Sequence, residues 1–139
     1  MVSIAEMIKS LNEDLSWEYT AAIQYIQHSG MMKGAQYGGI TKEMKIHAQE
    51  EIQHALILVD QISYLGGTPT VRTFDAKKSK KPEEMLKQDL DGELDAVRRY
   101  KKRIQEAEEL KEYALSQKLR EILATEQEHA MDLQAALGL

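Results

Sequence analysis

The sequence contains no cysteine, which excludes a disulfide framework, a thiolate zinc site, an iron–sulfur cluster and a cysteine nucleophile. Its two prolines and eight glycines provide few of the turns that an all-β fold requires. The longest apolar run, Ala55–Val59, is far shorter than the ~20 residues of a membrane-spanning helix. No basic region followed by an apolar stretch opens the chain, so no secretory signal is visible. We therefore expect a cytoplasmic protein with no membrane partner.

The chain also lacks an excess of positive charge. Its 18 basic and 23 acidic residues give a net charge of −5 at pH 7, so nucleic acid is not an expected partner. Apolar residues make up 42% and charged residues 29% of the sequence, which is typical of a folded globular protein. A length of 139 residues is that of one domain, and we expect a single domain over residues 1–139.

Apolar residues recur at helical spacing along nearly the whole chain and predict four helices. Ser3, with Glu6 three residues later, has the form of a capping box that opens the first helix. Pro82 followed by two glutamates suits the start of the third helix. The apolar stripes consist of Leu11, Leu15, Ala22 and Ile26; Met44, Ala48, Ala55, Leu58, Val59 and Ile62; Met85 or Leu86, Leu90, Leu94, Val97, Tyr100 and Ile104; and Leu115, Leu119, Ile122, Leu123, Leu133 and Leu137.

The second half of the chain repeats the first at a shift of 75 residues. The matched pairs are Leu11 and Leu86, Leu15 and Leu90, Glu18 and Glu93, Tyr25 and Tyr100, Glu51 and Glu126, His54 and His129, Ala55 and Ala130, and Leu58 and Leu133. Because these matches recur at helical spacing, they lie on one face of each helix. The repeat therefore predicts two copies of one helical hairpin.

The repeat also locates the turns and the connection between the hairpins. Glu18 lies 33 residues before Glu51, as Glu93 does before Glu126, which puts the turns near Gly34 and near residues 109–110. The segment from residue 66 to residue 81 could extend about 50 Å, enough for a crossover along the length of a bundle. The alternative is a return loop between antiparallel helices, although such loops usually take about two to eight residues.

Six titratable residues occupy the repeated face, where a bundle needs apolar side chains: Glu18, Glu51, His54, Glu93, Glu126 and His129. Each Glu-x-x-His pair puts a carboxylate and an imidazole on the same helix face, about 5–6 Å apart. One glutamate from each of two helices and one such pair from each of two others is the pattern of di-iron and di-manganese carboxylate centres. Four carboxylates also balance the charge of two divalent cations, and oxygen and imidazole donors suit iron or manganese.

A more ordinary interpretation exists for each element of this pattern. A single Glu-x-x-His pair on a helix indicates no more than a surface ion pair, but two pairs related by one shift are hard to obtain by chance. Tyr25 and Tyr100 lie two turns beyond Glu18 and Glu93 on the same face. They are either core tyrosines with bonded hydroxyls or side chains that support the metal centre. His28 and His47 are expected at the surface or at a subunit interface rather than among the ligands.

The segment from Glu18 to His28, with Gln24 and Tyr25, resembles the first helix of bacterioferritins, and the whole chain is similar to the ferritin-like (Dps-like) di-iron carboxylate family. The resemblance implies an all-α, ferritin-like four-helix bundle of two hairpins joined by a long crossover connection. It also implies a ferroxidase that stores and detoxifies iron. Such a protein oxidises Fe(II) with O2 or H2O2 at a centre of two irons inside each subunit, with manganese as the alternative metal.

The resemblance also assigns roles to the six residues and to Tyr25. Glu18 and Glu93 would be terminal ligands, one to each iron. Glu51 and Glu126 would bridge the two irons. His54 and His129 would each bind one iron. Tyr25 matches a tyrosine that the family keeps beside the centre, and it joins the six ligands as a candidate catalytic residue.

Two departures from the bacterioferritin pattern change what we expect. Ile52 stands where bacterioferritins have the methionine that binds haem, and isoleucine has no donor atom, so no haem is expected. The sequence ends at Leu139 without the fifth short helix of that family. We therefore expect a homo-oligomeric cage of 12 subunits in preference to 24, built from dimers. Val71 and Phe74 are expected to dock on a neighbouring subunit or on the bundle.

Two other functions remain open at this point. A peroxide-removing enzyme of the rubrerythrin or manganese-catalase kind would use a similar centre without storing a mineral, although rubrerythrins usually carry a cysteine-rich module and manganese catalases are usually longer. A non-catalytic helical assembly module, in which the glutamates are only structural, belongs to a different class. Metal content separates the third function from the first two, and the number of irons per particle separates storage from a small enzyme.

Overall fold

The computed structural model describes residues 1–139, which form four long α-helices and no β-strand. The helices are α1 (Ile4–Met31), α2 (Gly38–Tyr64), α3 (Pro82–Glu109) and α4 (Tyr113–Ala136), with a short 3₁₀ helix at Ala35–Tyr37 before α2. α1 packs along α2 and α3 packs along α4, and contacts of α1 with α3 and of α2 with α4 join the two hairpins. The predicted four-helix bundle of two hairpins is confirmed. None of the helices combines the length and the apolar character that crossing a membrane requires.

The helix ends follow the local signals, with one exception. The Ser3 side chain accepts a hydrogen bond from the backbone N–H of Glu6 at 3.1 Å, and Pro82 is the first residue of α3. The turn between α3 and α4 falls where the repeat predicts it, but it contains no glycine. Lys111 adopts a φ of 60° there instead, a left-handed conformation that costs a non-glycine residue about 1–2 kcal/mol. Local sequence signals therefore could not mark this turn.

The connection from α2 to α3 crosses the length of the bundle alongside α1. Asn12 bonds to the backbone of Thr68 and Thr70 near the start of the connection, and Gln24 accepts from the backbone N–H of Lys77 near its end. Residues later in the connection thus bond to residues later in α1, so the connection runs parallel to α1. This confirms the predicted crossover and excludes a return loop. As a result α3 begins beside the C-terminal end of α1 and runs antiparallel to it.

The two apolar residues of the connection have different surroundings. Phe74 packs on Trp17 of α1 with 4.3 Å between ring centroids. It therefore docks on its own bundle, which was one of the two expected sites, the other being a neighbouring subunit. Val71 is 94% exposed in the single chain.

Two apolar clusters fill the bundle and leave a charged layer between them. The larger cluster contains Met7, Leu11, Leu15, Ala55, Leu58, Ile62, Ala96, Tyr100, Ile104, Ala107, Leu115, Leu119 and Ile122. The smaller contains Tyr25, Met32, Met44, Ala48, Met85, Leu86, Leu90, Ala130 and Leu133. Ile26 and Leu94 were expected in the core but are exposed. Ile26 lies 15 residues after Leu11, which turns it about 60° round the helix and away from the core.

A buried ion-pair network links α1 to α3 beside the larger cluster. The carboxylate of Asp14 is fully buried and accepts hydrogen bonds from Arg103 and Arg99, each at 2.7 Å. Arg103 also donates to Glu106 at 2.6 Å. Arg103 is buried, whereas its neighbours Lys101 and Lys102 are exposed. A buried charge requires such partners because desolvation alone would cost several kcal/mol.

Candidate metal centre

The charged layer between the two apolar clusters contains all six residues of the predicted ligand set. They are Glu18 on α1, Glu51 and His54 on α2, Glu93 on α3, and Glu126 and His129 on α4. None of them is more than 5% exposed. The two helices of each hairpin pack antiparallel. Glu18 therefore lies at the same height as the Glu51–His54 pair, and Glu93 at the same height as the Glu126–His129 pair. That these side chains bind metal stays a prediction.

Their donor atoms fall into two overlapping groups, in each of which all atoms lie within 4.8 Å of one another. One group is Glu18, Glu51, His54 and Glu126, and the other is Glu51, Glu93, Glu126 and His129. Both groups share Glu51 and Glu126. The arrangement is therefore a shared pair of carboxylates between two outer carboxylate–imidazole pairs, which is what two neighbouring cations would need.

Both histidines point their Nδ1 atoms into this layer. Nδ1 of His54 lies 3.1 Å from Oε1 of Glu51 and 3.1 Å from Oε1 of Glu126. Nδ1 of His129 lies 3.2 Å from Oε1 of Glu93, and its Nε2 lies 3.2 Å from the carboxylate of Glu50 outside the centre. The contact of Nε2 with Glu50 fixes the ring with Nδ1 turned inward, as outer partners of metal-binding histidines commonly do.

Buried polar atoms without a hydrogen-bond partner are concentrated here. They include Oε2 of Glu18, Oε1 of Glu51, Nδ1 of His54, Oε2 of Glu93 and Oε1 of Glu126. Leaving such an atom unpaired costs about 1–3 kcal/mol, so five of them in one layer call for a further partner. Two divalent cations fit, since they would take these atoms as ligands and balance the four carboxylate charges.

In the absence of metal, protons partly replace those charges. Burial and then repulsion from neighbouring carboxylates raise the pKa values of Glu51 and Glu126 well above the ordinary value of 4.5. Burial opposes the charge on His54, but the nearby carboxylates of Glu126 and Glu18 outweigh it and raise the pKa of His54 to about 10. Cations entering the layer must displace these protons, so their affinity rises with pH.

Each tyrosine of the repeat contacts a glutamate of the opposite hairpin. The hydroxyl of Tyr25 donates to Oε1 of Glu93 at 2.6 Å, and the hydroxyl of Tyr100 donates to Oε1 of Glu18 at 2.5 Å. Burial and the neighbouring carboxylates raise both tyrosine pKa values well above 10, so both hydroxyls stay protonated donors. The sequence indicates the face on which these tyrosines lie, but not the carboxylate that each one contacts.

The expectation that His28 and His47 lie at the surface or at a subunit interface is wrong, because within the single chain they are already 0% and 1% exposed. Nδ1 of His28 lies 2.9 Å from the carboxylate of Asp89, and its Nε2 lies 2.9 Å from the carbonyl oxygen of Lys77. His28 therefore ties α1 to α3 and to the connection. The available sequence signal was Asp89, a carboxylate one turn before Glu93 on the buried face, which needs a buried partner.

A cavity of about 330 Å³ between α1 and α3 leads from the surface to the layer. It reaches the buried carboxylates of Glu18 and Glu93. Asp91 and Gly92 at its outer end are exposed. Gly92 leaves open space where any other residue would place a Cβ atom. The remaining acidic wall consists of Asp75, Asp89 and Asp95.

Comparisons with known proteins agree on one family. The family model described as the ferritin-like domain matches residues 8–139. A bacterioferritin of Brucella melitensis is 30% identical over 96% of this chain and 84% of its own length, and a bacterial ferritin of Pseudomonas aeruginosa is 34% identical over 96% and 88%.

Solved structures give the same result. A ferritin-like di-iron-carboxylate protein from Bacillus anthracis superposes with a TM-score of 0.93 at 33% identity, covering 99% of both chains. A bacterioferritin-related protein from Bacteroides fragilis, described as a dodecameric thioferritin, has a TM-score of 0.91 at 28% identity, covering 99% of this chain and 87% of its own.

Proposed function

The chain belongs to the ferritin-like family, and we propose that it is a ferroxidase that stores and detoxifies iron as part of a hollow homo-oligomer. The observation that carries the proposal is the pair of overlapping donor groups that share Glu51 and Glu126. Two cations held by these groups would be close enough for a two-electron reaction. The substrates in the proposal are Fe(II) and either O2 or H2O2.

In the proposed centre the six residues have distinct tasks. Glu51 and Glu126 would bridge the two irons, Glu18 and His54 would complete one coordination sphere, and Glu93 and His129 would complete the other. Two Fe(II) ions supply one electron each, which with two protons reduces O2 to H2O2 or H2O2 to two waters. With only six protein ligands for two cations, coordination positions remain open for the oxidant.

The surrounding residues position these ligands. The hydroxyls of Tyr25 and Tyr100 hold one oxygen of Glu93 and of Glu18, so each terminal carboxylate has its other oxygen, Oε2, without a hydrogen bond. Glu50 turns the ring of His129 so that Nδ1 faces the centre. Such outer partners typically change metal affinity or activity by about 10–100-fold when they are removed.

We propose that the cavity between α1 and α3 is the route by which Fe(II) reaches the centre. Acidic residues outnumber the two basic ones, Lys77 and Arg99, in its lining, so its negative potential attracts cations. Gly92 keeps the passage open beside Glu93, since no side chain projects into it. A Gly92→Leu variant should therefore slow iron oxidation at low Fe(II) concentration. The control is Asp60→Leu, at an exposed position of α2. Gly138→Leu is unsuitable as a control, because Gly138 has a φ of 74° that a leucine would adopt only with strain.

We further propose that the chain assembles from dimers into a closed cage, with 12 subunits favoured over 24. Large apolar residues that are about half exposed lie on α1 and α2: Ile23, Ile26, Ile52 and Leu56. Apolar residues exposed in this number on one hairpin indicate a surface that a partner covers. The Bacteroides fragilis relative is described as dodecameric, which supports the smaller cage.

One experiment tests storage against a small di-metal enzyme. The metal-free protein is supplied with Fe(II) in air, and its mass is followed by light scattering together with its iron content. The proposal predicts a closed particle that takes up hundreds of irons. A dimer that stays a dimer and holds two irons per chain would leave a peroxide-removing di-metal enzyme, and a protein that binds no iron would leave a structural module.

Matched variants connect that result to the centre and to the dimer surface. Glu51→Gln and Glu126→Gln should abolish rapid Fe(II) oxidation, whereas Glu128→Gln, an exposed residue of the same helix α4, should not. Ile52→Glu with Leu56→Glu should prevent assembly, because charges replace apolar contacts. Leu94→Glu, on α3 outside the proposed surface, is the control that should still assemble.

A further inference from the structure

A second group of metal-binding side chains lies outside the six-residue centre. Glu43 and His47 are one turn apart on the same face of α2, and Asp132 reaches them from α4. The donor atoms of the three residues lie within 4.8 Å of one another. None of the three belongs to the proposed di-iron ligand set.

The buried histidine makes this group more than a cluster of surface acids. His47 is 1% exposed, its Nε2 lies 3.0 Å from Oδ2 of Asp132, and its Nδ1 has no hydrogen-bond partner. In the metal-free protein Nε2 donates its proton to the carboxylate of Asp132, which can only accept. Because no group holds Nδ1, the ring proton can move to Nδ1 when a cation takes its place, which frees the Nε2 lone pair to face the site. The only side chain that pairs with Asp132 is His47 itself.

The geometry and the charge of the group suit a cation. Two ligand atoms that are each about 2.1 Å from a metal and at a right angle to one another lie about 3.0 Å apart. This is the separation between Nε2 of His47 and Oδ2 of Asp132. The two carboxylates and a neutral imidazole carry a total charge of −2, which one divalent cation balances.

The group is also accessible. Glu43 and Asp132 line a groove at one end of the bundle, together with Gln36 and Tyr37. The side chain of Asp132 is 45% exposed, so it can adjust to a cation and leave room for waters that complete the coordination. The Glu43 side chain, which is half-buried, can close on the same ion.

We propose that Glu43, His47 and Asp132 form a third cation site for a divalent first-row transition metal such as Mn²⁺, Fe²⁺ or Zn²⁺. One imidazole nitrogen and two carboxylates are the donors that such metals accept. The site adjoins the proposed di-iron centre, since the ring of His47 stacks on that of His129 with 3.9 Å between centroids. The site requires neither iron oxidation nor iron storage, so it stands apart from the proposed function.

Zn²⁺ is the appropriate probe because it is not oxidised. Metal-free protein is dialysed against Zn²⁺, and bound zinc is counted per chain in the wild type and in two double variants. Glu43→Gln with Asp132→Asn should bind one zinc fewer than the wild type. Glu51→Gln with Glu126→Gln should lose the zinc of the central layer and retain the third ion. Asp60→Asn with Glu128→Gln makes the same charge change at exposed positions and should bind as much zinc as the wild type.

The outcomes separate this proposal from the proposed function. Unchanged zinc content in Glu43→Gln with Asp132→Asn overturns the third site. Loss of the only bound zinc in that variant would uphold the third site and contradict the di-iron centre. Anomalous diffraction from zinc-soaked crystals gives a second readout. A peak about 2.0–2.2 Å from Nε2 of His47 is expected, and zinc in the central layer with no peak at His47 would overturn the proposal.

Discussion

The hydroxyl of Tyr100 on α3 donates a hydrogen bond of 2.5 Å to Glu18 on α1, across the boundary between the two hairpins. Tyr25 on α1 makes the matching 2.6 Å bond to Glu93 on α3. Each hairpin thus supplies the donor that holds a buried carboxylate of the other. The internal repeat therefore has a structural consequence: the two bonds that orient carboxylates of the charged layer also help to join the hairpins.

Removing these hydroxyls should weaken metal binding. We predict that Tyr100→Phe and Tyr25→Phe each lower the affinity for Mn²⁺ at the centre by about 10–100-fold, because the terminal carboxylate loses its orienting donor. Competition between the protein and a chelator measures this affinity. Tyr113→Phe, at a position 62% exposed, is the control. Equal affinities in all four proteins would show that the tyrosines are only core residues.

The buried carboxylate of Asp14 should contribute strongly to stability. Asp14→Asn leaves Arg103 and Arg99 with a buried neutral partner, and we predict a loss of about 3 kcal/mol in the free energy of unfolding. Asp95→Asn removes a carboxylate that is 41% exposed and pairs with Arg99, so it should cost less than about 1 kcal/mol. Urea unfolding at one protein concentration compares them, and equal losses would contradict the account.

The metal-free protein should lose stability as the pH rises. The pKa values of Glu51, Glu126 and His54 are all raised in the folded protein, so the folded state binds more protons than the unfolded chain. The free energy of unfolding therefore falls with pH. For His54 the fall extends from its ordinary pKa of 6.5 to about 10.

Urea unfolding in the presence of a chelator at pH 7 and at pH 9 measures this fall. The wild type should be less stable at pH 9, and His54→Gln should reduce the difference between the two values because it removes one titrating group. Stability that is constant or increases over this range would mean that His54 carries no proton in the metal-free centre.

Haem should not bind through a methionine at the position of Ile52. This side chain is 47% exposed on α2 and offers no donor atom. Met44, the nearest methionine before it on α2, is fully buried in the smaller apolar cluster and cannot replace it. We predict no Soret band from methionine-bound haem in haem-supplemented protein. A band that disappeared when the exposed Met31 or Met131 was changed would contradict this.

The sequence predicts features that depend on neighbours along one helix. The Ser3 cap, the start of α3 at Pro82 and the shared face of Glu51 and His54 all depend on local spacing, and the structure has each of them. The repeat added the turn near residues 109–110, next to which Lys111 adopts a backbone conformation unusual for the residue and no local signal exists.

Contacts between the hairpins were not predictable in the same way. The partners of Asp14, His28 and His47 come from other helices or from the connection, and they depend on how far each helix is rotated about its axis. A single sequence gives that rotation only to within the width of an apolar stripe. A buried charge or histidine therefore indicates that a partner exists, but not which residue it is.

Anomalous diffraction from crystals grown with Fe(II) or Mn²⁺ would show whether the buried layer holds two metal ions. We expect two peaks in the layer between the apolar clusters, both within about 2.0–2.2 Å of Glu51 and Glu126 oxygens. One peak should lie beside Nδ1 of His54 and the other beside Nδ1 of His129. Metal bound by the protein with no peak between these two histidines would contradict the di-iron centre and the ferroxidase function that rests on it.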